Sequence, residues 1–237
     1  MEVKRAKITA VGHYLPEYRL TNFELEKLVD TNDEWIRSRT GISERRILKD
    51  PDKATAYMGA EAAKEALTLA NVKAEDVDLI ILATVTPDYL FPATACLVQE
   101  MIGAKKAFAF DLSAACSGFL YALTTGSMYI ESGRAKKVLV IGADKMSSIL
   151  DYTDRSTCIL FGDGAGAVLL EESTDETGII DHIHHTEGDT ECSLYQHAGG
   201  SRHPATIETV QNRQHHITQD GRAVFKKATM GMADVSL

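Results

Sequence analysis

The sequence predicts an α/β layered fold built on a sheet that is buried on both faces. Near-continuous apolar runs recur along the chain, and helical patterns separate several of them, which is how a sheet covered by helices on both sides reads in one dimension. The 237 residues, 44% of them hydrophobic, also suffice to bury a sizeable core, in one large domain or two small ones.

The first strand is KITAVG, Lys7 to Gly12. A helical pattern from Thr55 to Asn71 leads into the strand VDLIILATVT, Val77 to Thr86. Pro92 to Ile102 is helical again, followed by the strand AFAFDLS, Ala107 to Ser113, and a long apolar-periodic helix from Cys116 to Gly133. KVLVIGADK (Lys137 to Lys145) and AVLLEES (Ala167 to Ser173) complete the series of strands. A second unit opens at Gly178 with GIIDHIHH, read as a strand. The polar stretch from Thr186 to Asp220 is too long for a routine connection, so it is either a binding excursion or poorly ordered. The chain closes on AVFKKATMGMADVSL, a helical pattern with neither a Gly or Asn cap nor a following Pro, and therefore reads as a fragment or an incompletely recorded chain.

A formal net charge of -9 argues against nucleic acid as a principal partner, because phosphate binding needs a concentrated basic surface. The four cysteines, Cys96, Cys116, Cys158 and Cys192, form no C-x-x-C pair and are too sparse for a disulfide framework, which suggests a reducing compartment. The start, MEVKRAKITAVG, lacks an apolar leader core, and no run is long enough to span a bilayer. A cytoplasmic protein with no membrane partner is the expectation.

Cys116 is the candidate nucleophile. It lies in DLSAACSGF, Asp111 to Phe119, where a strand turns abruptly into a helix. The first amides of a helix lack intrahelical partners and carry the positive end of the macrodipole, which favours a nucleophilic thiolate, and the small neighbours Ala114, Ala115, Ser117 and Gly118 leave the sulfur open. Taken alone, a lone cysteine in an apolar segment is more often a buried structural residue. Thr31 and Glu34 have capping-box spacing and start a helix that carries Trp35 and Arg39 one turn apart on one face. An indole beside a guanidinium suits a nucleotide, although spacing alone favours a packing indole with a surface arginine nearby.

FGDGAGAVLL is not a phosphate loop. Gly162, Gly164 and Gly166 are spaced G-x-G-x-G and lead into a strand-like run where a dinucleotide fingerprint requires a helix, so a tight backbone bend is expected. His182 and His184 in HIHH share one strand face, but no acidic or cysteine ligands recur at a characteristic spacing, and no metal is expected.

The DLSAACSGF run resembles the active-site segment of the β-ketoacyl-acyl-carrier-protein synthase III family, condensing enzymes of the thiolase-like superfamily. Three further stretches agree with it in the family's order: TNDEWIRSRTGISERRI (Thr31 to Ile47), FPATACLVQ (Phe91 to Gln99) and DRSTCILFGDGAGAVLL (Asp154 to Leu170). The resemblance implies a thiolase-like layered α-β-α-β-α fold, with its first half, 1–175, complete and its second half, 176–237, only begun. Segments resembling the family's PHQAN and GNTSAAS, which supply a catalytic His and Asn, do not occur in the sequence. His215 and His216, in NRQHHIT, do not match the former.

As the resemblance implies, Cys116 takes an acyl group from acyl-CoA, most simply acetyl-CoA. The carbanion left when malonyl-acyl-carrier protein decarboxylates then attacks the thioester, initiating fatty acid synthesis. Thr31, Trp35 and Arg39 would contact coenzyme A, Arg155 would close on the adenine from the other side, and Gly221 and Phe225 would bind substrate. The polar stretch would fold over the pantetheine arm, the glycine bend would pack beside the catalytic centre, and Phe91 would cross a homodimer interface, although an ordinary core aromatic fits its spacing too. No cofactor is implied beyond the coenzyme A thioester, which is a substrate. The competing readings are a non-catalytic dimerisation or CoA-binding half, and a related condensing enzyme of secondary metabolism.

Overall fold

The computed structural model describes residues 4–175, 177–188 and 191–236. Glu176, where the second half was expected to open, and Asp189 and Thr190, inside the polar stretch, lie outside the described residues. In chain order the elements are β1 (Ala6–Tyr14), β2 (Tyr18–Thr21), α1 (Asn22–Leu25), α2 (Asp33–Thr40), β3 (Glu44–Ile47), α3 (Thr55–Ala70), β4 (Leu79–Ala83), α4 (Thr94–Ile102), β5 (Phe108–Leu112), α5 (Gly118–Glu131), β6 (Lys137–Lys145), β7 (Asp163–Glu172), β8 (Leu194–Gln196), α6 (Ile207–Gln211), β9 (Ile217–Gln219) and α7 (Gly221–Asp234). They cluster into two compact units interleaved in sequence: Met1–Tyr18, Arg46–Lys145 and Asp163–His182 in one, Arg19–Arg45, Met146–Gly162 and Ile183–Leu237 in the other. This division by contacts is a different thing from the sequential family halves.

The first unit is a three-layer sandwich. Its sheet has the order β1-β7-β6-β4-β5, with β4 parallel to both β5 and β6, and β7 antiparallel to β6 and β1. β4 is buried throughout, and its side chains alternate between two cores. Ile80 and Leu82, with Leu139 and Ile141 of β6, pack with Met58, Ala62, Ala63 and Ala66 of α3 and Val98 of α4. Leu79 and Ile81, with Val138 and Val140, pack on the other face with Ala122 and Ile130 of α5. A period-2 strand with both sets apolar has to be covered twice, as the sequence pattern required. The inner layer is tight: a Cβ on Gly12 of β1 would stand 2.1 Å from the Ala62 carbonyl oxygen of α3, so only glycine lets strand and helix approach this closely.

The second unit contains α1, α2 and the folded part of the polar stretch. That stretch is an ordered excursion where it is described: β8 and β9 form an antiparallel pair, α6 lies between them in sequence, and Thr206 caps α6. Arg213 fastens it to residues 151–153, donating to Asp151 Oδ1 at 2.7 Å and to Thr153 Oγ1 at 2.9 Å.

Three local expectations are corrected. GIIDHIHH does not form a strand, since the described residues 177–188 have no regular secondary structure. The amide of Ile179 donates to Ala6 O at 2.8 Å beside the edge strand β1, but this contact is not continued as a ladder, and a run without a ladder stays irregular. Gly164 and Gly166 lie inside β7, which starts at Asp163, so the backbone does not bend at them. The α5 helix begins at Gly118 rather than Cys116, because residues Ala115–Ser117 form a separate 3-10 turn.

Candidate active site

Cys116 follows the carboxyl end of β5, the place where open α/β sheets bind ligands. It is exposed. The residue before it, Ala115, has φ of +47°, a left-handed conformation that costs a non-glycine residue roughly 1–3 kcal/mol and is typical of strained functional turns. The chain reverses here in one 3-10 turn, closed by Ser117 N–H donating to Ala114 O at 3.1 Å. Gly118 makes the next step possible: a Cβ there would meet the Ala83 Cβ of β4 at 3.2 Å, so the absence of a side chain lets α5 start against the end of β4. Cys116 thus precedes the free amides of α5 instead of lying among them.

Two aspartates brace this region, and sequence reasoning missed both. Asp111 of β5 accepts the amides of Thr94 and Ala95 at 2.7 Å each, so it ties the N-terminus of α4 to the strand that leads to Cys116. Asp144 Oδ1 accepts from Thr84 Oγ1, Val85 N, and Thr86 N and Oγ1 at 2.9–3.2 Å, fixing the loop after β4. Asp88, half-buried nearby in sequence, accepts the Ala56 amide at 2.8 Å, and burial pushes its carboxyl above the ordinary range. An aspartate at the end of an apolar strand was the available signal, but its partners are distant in sequence.

Phe91 is 85% exposed, beside Leu90 at 87% and Tyr89 at 61%, which excludes the reading of an ordinary core aromatic.

The second unit gathers the residues expected at the nucleotide. Arg39 Cζ is 5.9 Å and Arg155 Cζ 5.6 Å from the centroid of the Trp35 ring. Arg155 is tethered by a hydrogen bond from Nη1 to Asp30 O at 2.8 Å, with the exposed Asp30 carboxylate 3.4 Å away. The helix under Trp35 is not started by a capping box at Thr31. Asn32 is the N-cap, and its side chain accepts the Trp35 amide at 2.8 Å. Asn32 stands three residues before Trp35, the reach an N-cap oxygen needs, and Thr31 lies one position too early. The Thr31 hydroxyl is instead buried without a hydrogen-bond partner in the chain. Gly221 and Phe225 lie one turn apart at the start of α7, both exposed, on an element separate from the Trp35 helix.

The turn that carries Arg155 is built on Asp154, whose carboxylate accepts Ser156 N at 2.9 Å and Thr157 Oγ1 at 2.9 Å. Behind it Cys158 is fully buried, and burial pushes its thiol up to about 11. Among the described residues no group of three or more His, Cys, Asp or Glu could hold a metal ion, and no helix is long and apolar enough to cross a membrane.

An open cysteine on a strained turn at the end of a parallel strand, over a mixed sheet with helices on both faces, is the arrangement that the resemblance to thiolase-like acyltransferases implies. Known proteins of like sequence and shape narrow the class. The family described as 3-oxoacyl-[acyl-carrier-protein (ACP)] synthase III matches residues 110–188. The chain is 60% identical over 234 residues to the beta-ketoacyl-[acyl-carrier-protein] synthase III of Chlorobium phaeovibrioides, covering 98% of this chain and 71% of that protein. It is 52% identical to that of Koribacter versatilis, covering 99% and 71%. In shape it is similar to the 3-oxoacyl-[acyl-carrier-protein] synthase III of Aquifex aeolicus, with TM-score 0.82, 51% identity, and coverage of 93% of this chain and 66% of that one. The Pseudomonas aeruginosa enzyme superposes with TM-score 0.85 at 38% identity, covering 97% and 68%. The chain belongs to the β-ketoacyl-[acyl-carrier-protein] synthase III family. It spans about two thirds to seven tenths of the length of the relatives it matches.

Proposed function

We propose that the chain carries the nucleophile and the coenzyme A contacts of an acyltransferase that primes fatty acid synthesis by condensing acyl-CoA, acetyl-CoA in the simplest case, with malonyl-acyl-carrier protein. The observation that carries this reading is the exposed Cys116 on the turn strained at Ala115. In the first half-reaction the Cys116 sulfur attacks the thioester carbon, the C–S bond to coenzyme A breaks, and coenzyme A leaves as the thiol. The Cys116 backbone amide is suited to meet the charge that develops on the thioester oxygen. In the second, malonyl-carrier protein loses carbon dioxide, its carbanion attacks the acyl-Cys116 thioester, and the thiolate is released. The family's His and Asn, whose segments this sequence lacks, would serve that second step. Cys116 and the coenzyme A contacts named here are assigned to the acyl-transfer half.

Trp35, Arg39 and Arg155 bind the nucleotide in this reading, with the ring offered to the base and the cations to phosphate. Thr31 offers a hydroxyl that lacks a protein partner. Gly221 and Phe225 are assigned to the substrate by their family positions. Tyr89, Leu90 and Phe91, with the outer edge of β5, form the surface proposed for a homodimer, and the expected place is the cytoplasm. The thioester is a substrate, and the proposed chemistry asks for no other cofactor.

Incubation with acetyl-CoA followed by peptide mapping tests the assignment. A stable acetyl adduct on Cys116 alone, absent from Cys116→Ala, is the expected result. An adduct on Cys96, Cys158 or Cys192 with Cys116 unmodified overturns it.

A further inference from the structure

Arg45, the second residue of β3, is almost wholly buried, at 4% exposure. Its hydrogen-bond acceptors are neutral. Nε donates to Ile159 O at 2.8 Å, Nη2 donates to the same oxygen, and Nη1 donates to Asn22 Oδ1 at 2.5 Å. Burial without a carboxylate lowers its pKa, and packed apolar side chains often stabilise such a position better than a buried charge. What an apolar side chain cannot do is bridge two backbone segments with a planar fork of fixed geometry.

The two segments bridged are those that carry the nucleotide contacts. Ile159 ends the Asp154-built turn that presents Arg155, and the intervening Thr157 is fully buried. Asn22 turns its amide the other way, donating from Nδ2 to Asp33 Oδ1 at 2.8 Å and to Ile42 O at 2.9 Å. Asp33 is the first residue of α2, and Ile42 follows its C-cap Gly41, so one amide clamps both ends of the helix that bears Trp35 and Arg39. Helix, clamp, fork and turn form one chain of hydrogen bonds ending at the 5.6 Å approach of Arg155 to the Trp35 ring. The fork fixes backbones only. The Arg155 side chain is half exposed and can swing to admit a base.

We propose that Arg45 is a positioning residue for the nucleotide end of coenzyme A, setting the distance between the Trp35 helix and the Arg155 turn through Asn22 and the Ile159 carbonyl. The proposal rests on the reading of Trp35, Arg39 and Arg155 as coenzyme A contacts.

Trp35 is the only tryptophan, so fluorescence excited selectively at tryptophan reports on this site alone. The full chain is titrated with coenzyme A as wild type, as Arg45→Lys, which keeps the charge and loses the fork, and as Asn22→Asp, which can still pair with Arg45 but cannot donate to Asp33 and Ile42. Both variants are expected to raise the titration midpoint about 10-fold, the scale on which one well-made hydrogen bond counts in binding. Acylation of Cys116 by S-acetylpantetheine, which has no nucleotide, should stay within about 2-fold of wild type, while acylation by sub-saturating acetyl-CoA falls with the binding.

A wild type whose fluorescence ignores coenzyme A overturns the nucleotide reading, and this proposal with it. A responsive wild type with unchanged midpoints in both variants overturns the proposal alone, as do equal losses towards acetyl-CoA and S-acetylpantetheine. Should Arg45→Lys fail to fold, Asn22→Asp decides by the same readouts.

Discussion

Four cysteines share this chain, and their surroundings give them different work. Cys116 is exposed on a turn strained at the preceding residue, while Cys158 is buried behind the turn that carries Arg155. Burial disfavours the thiolate, so the Cys158 thiol rises from an ordinary 9.0 to about 11. The sign follows: between those two values the unfolded chain ionises at this position and the folded chain does not. The contribution to stability is therefore fully present below pH 9 and is lost as pH rises towards 11, on the order of 2 kcal/mol in all. Urea midpoints measured from pH 8 to pH 11 should fall more steeply for wild type than for Cys158→Ala, which starts lower because of the cavity it leaves. Parallel slopes for the two proteins would show that another group controls the alkaline loss. Nothing in the sequence separated Cys158 from Cys192 or Cys96, because burial is a property of the packed turn.

At the scale of the element, α2 shows how a correct helix can be given the wrong start. Thr31 and Asn32 are both good capping residues, and the Thr31–Glu34 spacing matched a capping box, yet the bond is made by Asn32 to the Trp35 amide. Asn32→Ala is thus expected to cost about 1 kcal/mol in chemical denaturation, whereas Thr31→Ala removes a hydroxyl with no protein partner and should leave stability unchanged or slightly raised. The reverse ranking would restore the Thr31 cap.

The limits of sequence reading lie in the same place. Lys137 to Lys145 and the helix from Thr55 were legible because their patterns of apolar residues are local. The Trp35–Arg39 pair was legible as helical spacing. Arg45 was not, since its partner Ile159 is 114 positions away, and neither was the bracing by Asp111 and Asp144. GIIDHIHH read as the strand that opens a second unit, but a strand needs a ladder to join.

At the scale of the molecule, the sheet is well covered on its faces and ends in two edge strands, β1 and β5. β5 is the last strand in the order β1-β7-β6-β4-β5, and it is the strand that leads to Cys116. Its first residue, Phe108, is 48% exposed, and the run Tyr89, Leu90, Phe91 in the same unit is more exposed still. An apolar open edge invites pairing, and natural sheets protect such edges with charges, bulges or a cover. The sequence FAFDL carries a single charge, and Asp111 spends it on the α4 amides. A second copy of the chain laid along β5 would supply the missing ladder and cover the aromatic run. Light scattering on the full chain at micromolar concentration is therefore expected to give the mass of a dimer. Phe108→Lys combined with Phe91→Glu should shift it towards monomer without loss of the far-ultraviolet circular dichroism that reports the buried β4 and β6. The acyl adduct on Cys116 should form more slowly in that monomer, because the turn then hangs from a strand whose outer amides bond only to water. A wild type that stays monomeric across the concentration range, with full acylation of Cys116, would mean that the open edge has no partner of its own kind and that Phe91 faces something else.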